Sequence, residues 1–289
     1  MQLLLYLFLY PILWLISILP FRILYIFSDF VCFIVYNIIG YRKVTVRENI
    51  AIALPHLSEK ERFIIEKKFY THLCDIFLEM IKTFTISEKE LNKRYKFNDL
   101  EVYRNLENQG KSIALMCAHY ASYEWAVSMN YHIKHKGFGI YKKLANPYFD
   151  KLVRDIRARF EATLITTKET IPIIIENFNN KKLSIYGFAS DQSPKVNSST
   201  YWGNFMGIEV PVHTGAENLA KKYDMNVIFL KTKKVKRGYY EASFELLSDN
   251  IAEVPNYQIS DQFIKLVEKQ IYEQPEYYLW THKRWKHRR

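Results

Sequence analysis

From Leu3 to Phe21 the chain carries no charge, and from Arg22 to Gly40 only Arg22 and Asp29 are charged. A block of this kind needs either lipid or a large protein core around it. The first stretch reaches the roughly 20 apolar residues of a spanning helix, although Pro11 is placed to kink it. A secretory signal is disfavoured: Met1-Gln2 supplies no basic start, and no small-residue cleavage site succeeds the block. Tyr6, Tyr10, Trp14, Tyr25 and Tyr36 are residue types favoured at the membrane–water interface. Arg42, Lys43 and Arg47 come directly after it, so the positive-inside rule places the remainder in the cytoplasm. The block predicts a membrane anchor, spanning or re-entrant; the competing reading is a buried pair of core helices.

The net charge of +11 belongs to the remainder of the chain, since 40 of the 41 basic and 29 of the 30 acidic residues lie beyond position 40. With 49% hydrophobic and 25% charged residues the chain is globular, not disordered. Three cysteines (Cys32, Cys74, Cys117) without a CxxC pair exclude a disulfide framework and a zinc ribbon, and suit a reducing compartment. Nine glycines argue against repetitive β architectures and glycine-rich nucleotide folds.

Helical period runs through 43–54 and 58–84, the second opened by the capping box Ser58-Glu59-Lys60-Glu61; Ser87-Glu88-Lys89-Glu90 opens another. Apolar runs then alternate with helical patterns. Strands are expected at 112–118, 138–141, 164–166, 183–189, 226–231 and 239–247, the last two antiparallel. Helices are expected at 122–136, 148–160, 169–179 and 214–223. This alternation predicts an α/β fold, a central mixed β-sheet flanked by helices and preceded by the N-terminal membrane-anchoring helical segment. No repeat or low-complexity linker appears, so the expected division is an anchor over 1–40 and one catalytic domain over 41–289.

Familiar motifs fail. Asn105 to Ser112 is one residue from a P-loop, but Asn105 replaces its first glycine and a strand comes next where a helix is needed. No GxSxG, HExxH or GxGxxG is present. His119, His132 and His135 lack metal-ligand spacing with a matching second pair, so no metal and no cofactor are expected.

What survives is His119-Tyr120-Ala121-Ser122-Tyr123-Glu124-Trp125, directly after the strand at 112–118. The C-terminal end of a strand is where open α/β sheets bind ligands. With Ser122 as N-cap, Glu124 falls in the first helical turn. There its carboxylate can accept one imidazole N–H and leave the other nitrogen to take a proton from a hydroxyl. The bland alternative is a surface His beside a surface Glu.

Further along come Tyr141-Lys142-Lys143 with Asn146-Pro147-Tyr148, then Arg154 and Arg157, then Asp191-Gln192-Ser193-Pro194. After these come Phe205-Met206-Gly207 through Pro211, and Trp280-Thr-His282-Lys283-Arg284-Trp285. In order and spacing, together with Tyr41 to Asn49, these resemble the bacterial lipid A late acyltransferases over nearly the whole chain. The resemblance implies a cytoplasm-facing enzyme of the inner membrane. It would move an acyl chain from acyl carrier protein to a hydroxyl of a lipid A-type glycolipid. It also implies that His119 and Glu124 are the catalytic pair and that Arg157, Asp191 and Lys142 bind substrate, Lys142 standing where arginine is common. The chain departs from the family's Gly-Asn-Trp at Ala121-Ser122-Tyr123.

A thiolate leaves readily, so one base suffices for direct transfer without an acyl-enzyme. Arg157 can hold a phosphate through its guanidinium fork; otherwise it shares a solvated face with Lys151, Arg154 and Arg159. Asp191 is otherwise a turn residue. The basic tail His282–Arg289 raises nucleic acid as a partner, but beside the anchor an anionic membrane or an acidic carrier protein suits it better. Two competing functions remain: the same chemistry on a phospholipid or aminolipid, and a non-catalytic membrane or nucleic-acid binder.

Overall fold

The computed structural model describes residues 2–289. The apolar block forms α1 (Gln2–Ile18), unbroken across Pro11, and α2 (Phe21–Phe33), with a break at Leu19-Pro20 between them. A π-helical turn, Ile34–Ile39, extends α2 and stops at Gly40, whose φ of 64° is a conformation glycine reaches without strain. Next come α3 (Lys43–Ala53) and the 24-residue α4 (Glu59–Lys82). The capping box of α4 forms in full: Ser58 accepts from the Glu61 N–H, and the Glu61 carboxylate accepts from the Ser58 N–H at 2.8 Å. At α5 (Glu88–Arg94) only half of the box forms, because the Glu90 carboxylate takes the Arg94 guanidinium instead, at 2.6 Å.

The remaining elements alternate. They are β1 (Tyr95–Phe97), α6 (Leu100–Glu107), β2 (Ile113–Cys117), a 3-10 segment (Trp125–His132), β3 (Lys136–Tyr141), α7 (Pro147–Ala158), β4 (Thr163–Thr166), α8 (Thr170–Asn179), β5 (Ser184–Ala189), the hairpin β6 (Trp202–Phe205) and β7 (Ile208–Pro211), α9 (Gly215–Lys222), β8 (Asn226–Lys236), β9 (Tyr239–Ser248) and α10 (Gln258–Glu273). Seven strands form one sheet in the order β1-β9-β8-β2-β5-β3-β4. Only the β8–β9 pairing is antiparallel; the others are parallel. Ile113, Ala114, Leu115 and Met116 of β2 are all buried, as a central parallel strand covered on both faces requires.

Several elements differ from the sequence expectation: one expected helix is missing, and β1, α6, β6 and β7 form where none is expected. No α-helix forms over 122–136. The Ser122 hydroxyl is buried without a hydrogen-bond partner and caps nothing, and Ala121 takes a left-handed φ of 49° that turns the chain before a helix can start. Conversely, α10 forms where the sequence predicts no element, with Ile259, Phe263, Val267 and Ile271 buried at intervals of four.

The N-terminal helices rest on α4 through buried polar groups. Ser28 donates to Asp75 at 2.8 Å, and Arg237 at the β8–β9 tip joins Asp75 (2.7 Å) to Asp29 (2.6 Å). Glu79, 1% exposed, accepts from Tyr25 (2.8 Å) and Tyr240 (2.9 Å). Burial is the largest influence on its carboxyl and pushes it up to about 7. An acid whose pKa is raised by folding contributes stability that is full below its ordinary value near 4.5 and is lost as pH rises through about 7. Glu79→Gln, which keeps an acceptor for one tyrosine, should therefore flatten the fall in melting temperature between pH 5 and pH 8 (roughly the window bounded by the two values), measured by thermal denaturation across pH.

Candidate active site

Strands β2 and β5 pair in parallel with Cys117 opposite Ala189. His119 lies two residues past the end of β2 and Asp191 two past the end of β5, so both leave the sheet at one level. Asp191 Oδ1 accepts from the His119 backbone N–H (3.1 Å) and lies 2.7 Å from ring Nδ1. That contact places the imidazole proton on Nδ1 and leaves Nε2 as an acceptor. The Asp191 side chain is 1% exposed and that of His119 22%, so the carboxylate stays behind and the imidazole meets the outside. Burial lowers the His119 pKa, but the Asp191 charge and hydrogen bond, with a further contribution from Glu124, outweigh it and the net shift is upward. For Asp191, burial works upward, and the imidazole charge with the His119 hydrogen bonds overcomes it, leaving the carboxyl below its usual range.

Glu124 does not take the place expected for it. Its carboxylate meets Arg157: Nη2 lies 2.7 Å from Oε1 and 2.5 Å from Oε2, and Nε lies 3.1 Å from Oε2. Both side chains are mostly covered, at 13% and 20% exposure. The turn at Ala121 and the 3-10 start carry Glu124 to the last turn of α7, and the position on Nδ1 belongs to Asp191. Arg157 is accordingly separated from the charges that share its helix: Lys151 pairs with Asp155 in solvent, and Arg159 donates to the Thr83 carbonyl at 2.7 Å. Lys142 is exposed and makes no hydrogen bond or ion pair among the described residues. It is not brought to the His119–Asp191 pair.

Other residues back the site without an obvious motif to announce them. Tyr123 stands edge-on to the His119 ring, centroids 5.1 Å apart. The segment after α10 forms a strap behind the box: Leu279 N–H donates to the His119 carbonyl (3.1 Å) and Ala121 N–H to the Tyr277 carbonyl (3.0 Å). Asn49 of α3 holds this strap, its one amide nitrogen donating to the carbonyls of Trp280 and His282, each at 2.7 Å. Part of the basic tail is interior. Arg284 is 2% exposed and donates to the Pro211 carbonyl, its guanidinium 4.9 Å from the centre of the Phe205 ring, and Trp285 stacks on Phe205 and Trp280. Phe205 and Met206 are thus core that seats the strap.

A His–carboxylate pair thus stands at the ends of adjacent parallel strands of the sheet, with a mostly covered acid–arginine pair beside it, an arrangement chemically able to accept a proton at Nε2. Residues 2–287 match the family model for bacterial lipid A biosynthesis acyltransferases, and the chain belongs to that family. It is 22% identical over 278 residues to the lipid A biosynthesis lauroyltransferase of Escherichia coli K12, covering 96% of this chain and 90% of that one. Two lipid A biosynthesis acyltransferases of Haemophilus influenzae Rd are each 23% identical. They cover 83% and 86% of this chain and 74% and 79% of their own lengths. The protein is an acyltransferase of lipid A biosynthesis.

Ala121 gives a test of the box geometry. It is fully buried with φ of 49°, a conformation costing a residue with a Cβ about 1–2 kcal/mol. Ala121→Gly removes that strain but adds unfolded-chain entropy of about 0.5–1 kcal/mol, so stability should change by less than about 1 kcal/mol and activity should persist. Ala121→Val, β-branched at positive φ and without space, should cost several kcal/mol. Denaturant titration of the two variants checks the contrast.

Proposed function

We propose that the enzyme transfers a fatty acyl chain from the thioester of acyl carrier protein directly to a hydroxyl of a lipid A-type glycolipid precursor, at the cytoplasmic face of the inner membrane. The observation that carries this reading is the His119–Asp191 contact at the ends of paired strands, in a chain of this family. An acceptor hydroxyl is un-ionised near neutral pH, and a positioned base contributes roughly 10²–10⁴ in rate. His119 Nε2 takes the hydroxyl proton as the oxygen attacks the thioester carbon. Asp191 holds the proton on Nδ1 and stabilises the imidazolium. Collapse of the tetrahedral intermediate breaks the C–S bond, and the imidazolium returns its proton to the departing thiolate. The balance closes with an ester and a free thiol, and no side chain is acylated.

Glu124 acts through Arg157. The ion pair uses Nε and Nη2 of the guanidinium, which leaves Nη1 for a substrate oxygen, either a phosphate or the oxyanion of the intermediate. Lys142, exposed with Lys143 between β3 and α7, serves as part of the positive field that draws in an acidic carrier protein or a phosphorylated glycolipid.

Transfer from acyl carrier protein thioester to a lipid A precursor by the purified protein, with mass spectrometry of lipid A from cells with and without the gene, tests the reaction and its acceptor. An acylated phospholipid in place of lipid A would reassign the acceptor. An acyl-enzyme trapped with donor alone would refute direct transfer. The pH profile separates the two acids. Asp191→Asn should lower kcat by about 10³–10⁴, the scale seen when a His loses its orienting carboxylate. It should also move the acid limb of kcat/KM to lower pH, because Asp191 is what raises the His119 pKa. Glu124→Gln should lower activity at least tenfold (about 1.4 kcal/mol) and shift that limb far less. Arg157→Lys keeps the charge but loses the fork, and should be comparably damaged at low and high salt.

A further inference from the structure

The helix from Phe21 to Ile39 is, by length and composition, able to cross a membrane, yet its surroundings forbid that. Contacts with the catalytic body run along the inner side of the whole apolar block. Asn146 donates to the Gln2 carbonyl (3.3 Å), and the Tyr6 ring stacks on Tyr148 at 5.6 Å. Lys82 donates to the carbonyls of Ser17 (2.6 Å) and Leu19 (2.8 Å). Further on, Ser28 meets Asp75, Asp29 meets Arg237, and Tyr36 donates to Glu66 at 2.8 Å. No part of α2 could enter the hydrocarbon without α4 beside it, which carries Glu66, Asp75, Glu79 and Lys82 along that length. Each charged residue at the bilayer centre carries a heavy insertion penalty. The β8–β9 tip, with Arg237, would also bring non-helical backbone into lipid. The 17-residue α1 spans only about 26 Å, short of a core of about 30 Å.

The outer side is the opposite in character. Helix α1 is apolar all round and exposed except along the edge that meets the body, with Leu4, Leu7, Phe8 and Leu15 between 56% and 71% exposed; on α2, Ile26, Phe30 and Phe33 are between 57% and 69% exposed. An apolar outer surface held along its inner edge by charged groups of the body, on α4 and at Arg237, fits the boundary of a single leaflet. We propose that α1 and α2 lie in the plane of the cytoplasmic leaflet without crossing it, so that residue 2 stays on the same side of the membrane as the catalytic body. The corner between the helices then sits beside the active site, since Phe21 meets Trp125, the neighbour of Glu124, at 6.3 Å. An acceptor anchored in that leaflet reaches His119 without leaving it.

This inference rests on the membrane location proposed for the enzyme, and sidedness tests it. The full-length protein carrying Gln2→Cys is produced in a Gram-negative host. Intact spheroplasts and inside-out inner-membrane vesicles are treated with a membrane-impermeant maleimide, with the protein bearing only its native cysteines as the blank. Lys286→Cys, at an exposed position on the catalytic body, marks the cytoplasmic side. The expected result is at least tenfold more label on Gln2→Cys in inside-out vesicles than in spheroplasts, matching Lys286→Cys. Labelling from the spheroplast side, or only after detergent, overturns the proposal. If Gln2→Cys does not accumulate, digestion of an N-terminal epitope by protease added to either preparation reads the same sidedness. Sedimentation is scored first: a protein that does not pellet with vesicles refutes the membrane location itself.

Discussion

The register between β2 and β5 is the constraint on which the site depends. With Cys117 opposite Ala189, His119 and Asp191 emerge at equal height, and a 2.7 Å contact forms between residues 72 apart in sequence. A slip of one residue would turn every side chain of β5 to the other face of the sheet. The hydrogen bond is therefore a product of core packing: Ile185, Tyr186 and Phe188 of β5 are buried against the helical layers, and that burial holds the register the chemistry requires. The Asp191 carboxylate also accepts the backbone N–H of His119, which fixes main chain and ring together and leaves the imidazole little freedom to swing away.

Electrostatics outside the site has a different task. Asp75, Glu79, Lys234 and Arg237 are gathered where the apolar helices meet the sheet, with the Lys234 ammonium 3.6 Å from the Asp75 carboxylate. Such a cluster adds little net stability compared with well-packed apolar groups. It specifies geometry: unpaired, each group would carry the full penalty of a buried charge, so α2 has one low-energy seat. A purely apolar seam would have let the helices slide.

Much of the fold was legible because its signals are local. The apolar runs SIALMCA and LSIYGFA read as buried strands, and Ser58 with Glu61 marked the start of α4 to the residue. The sheet order was not legible, since nothing local tells β8 to insert between β2 and β9. His119 could be found from its place after a strand, but its partner could not. A carboxylate five residues away is visible in the sequence, whereas one brought by a parallel register becomes visible only when the strands are paired. Glu124 was given the wrong neighbour for that reason. The strap at 277–282 received no role in the site because its bonds to the box are main-chain ones, which depend little on residue type, and Asn49 received none because the carbonyls its side-chain amide meets are far away in sequence.

The strap ties the order of assembly to the order of synthesis. Residues 277–282 are far along the chain from His119, yet their main chain holds the box from behind through Leu279 and Tyr277, and Asn49 clamps them in turn. A nascent chain can place its apolar helices and pair most of the sheet while the box still lacks its backing. Domains generally form as units during synthesis, from the N-terminal side onward; here the order would put the apolar helices first and the seating of His119 last. On the function proposed for this site, His119 would gain its backing only after the N-terminal helices are placed, which limits the time in which an unbacked imidazole meets substrate.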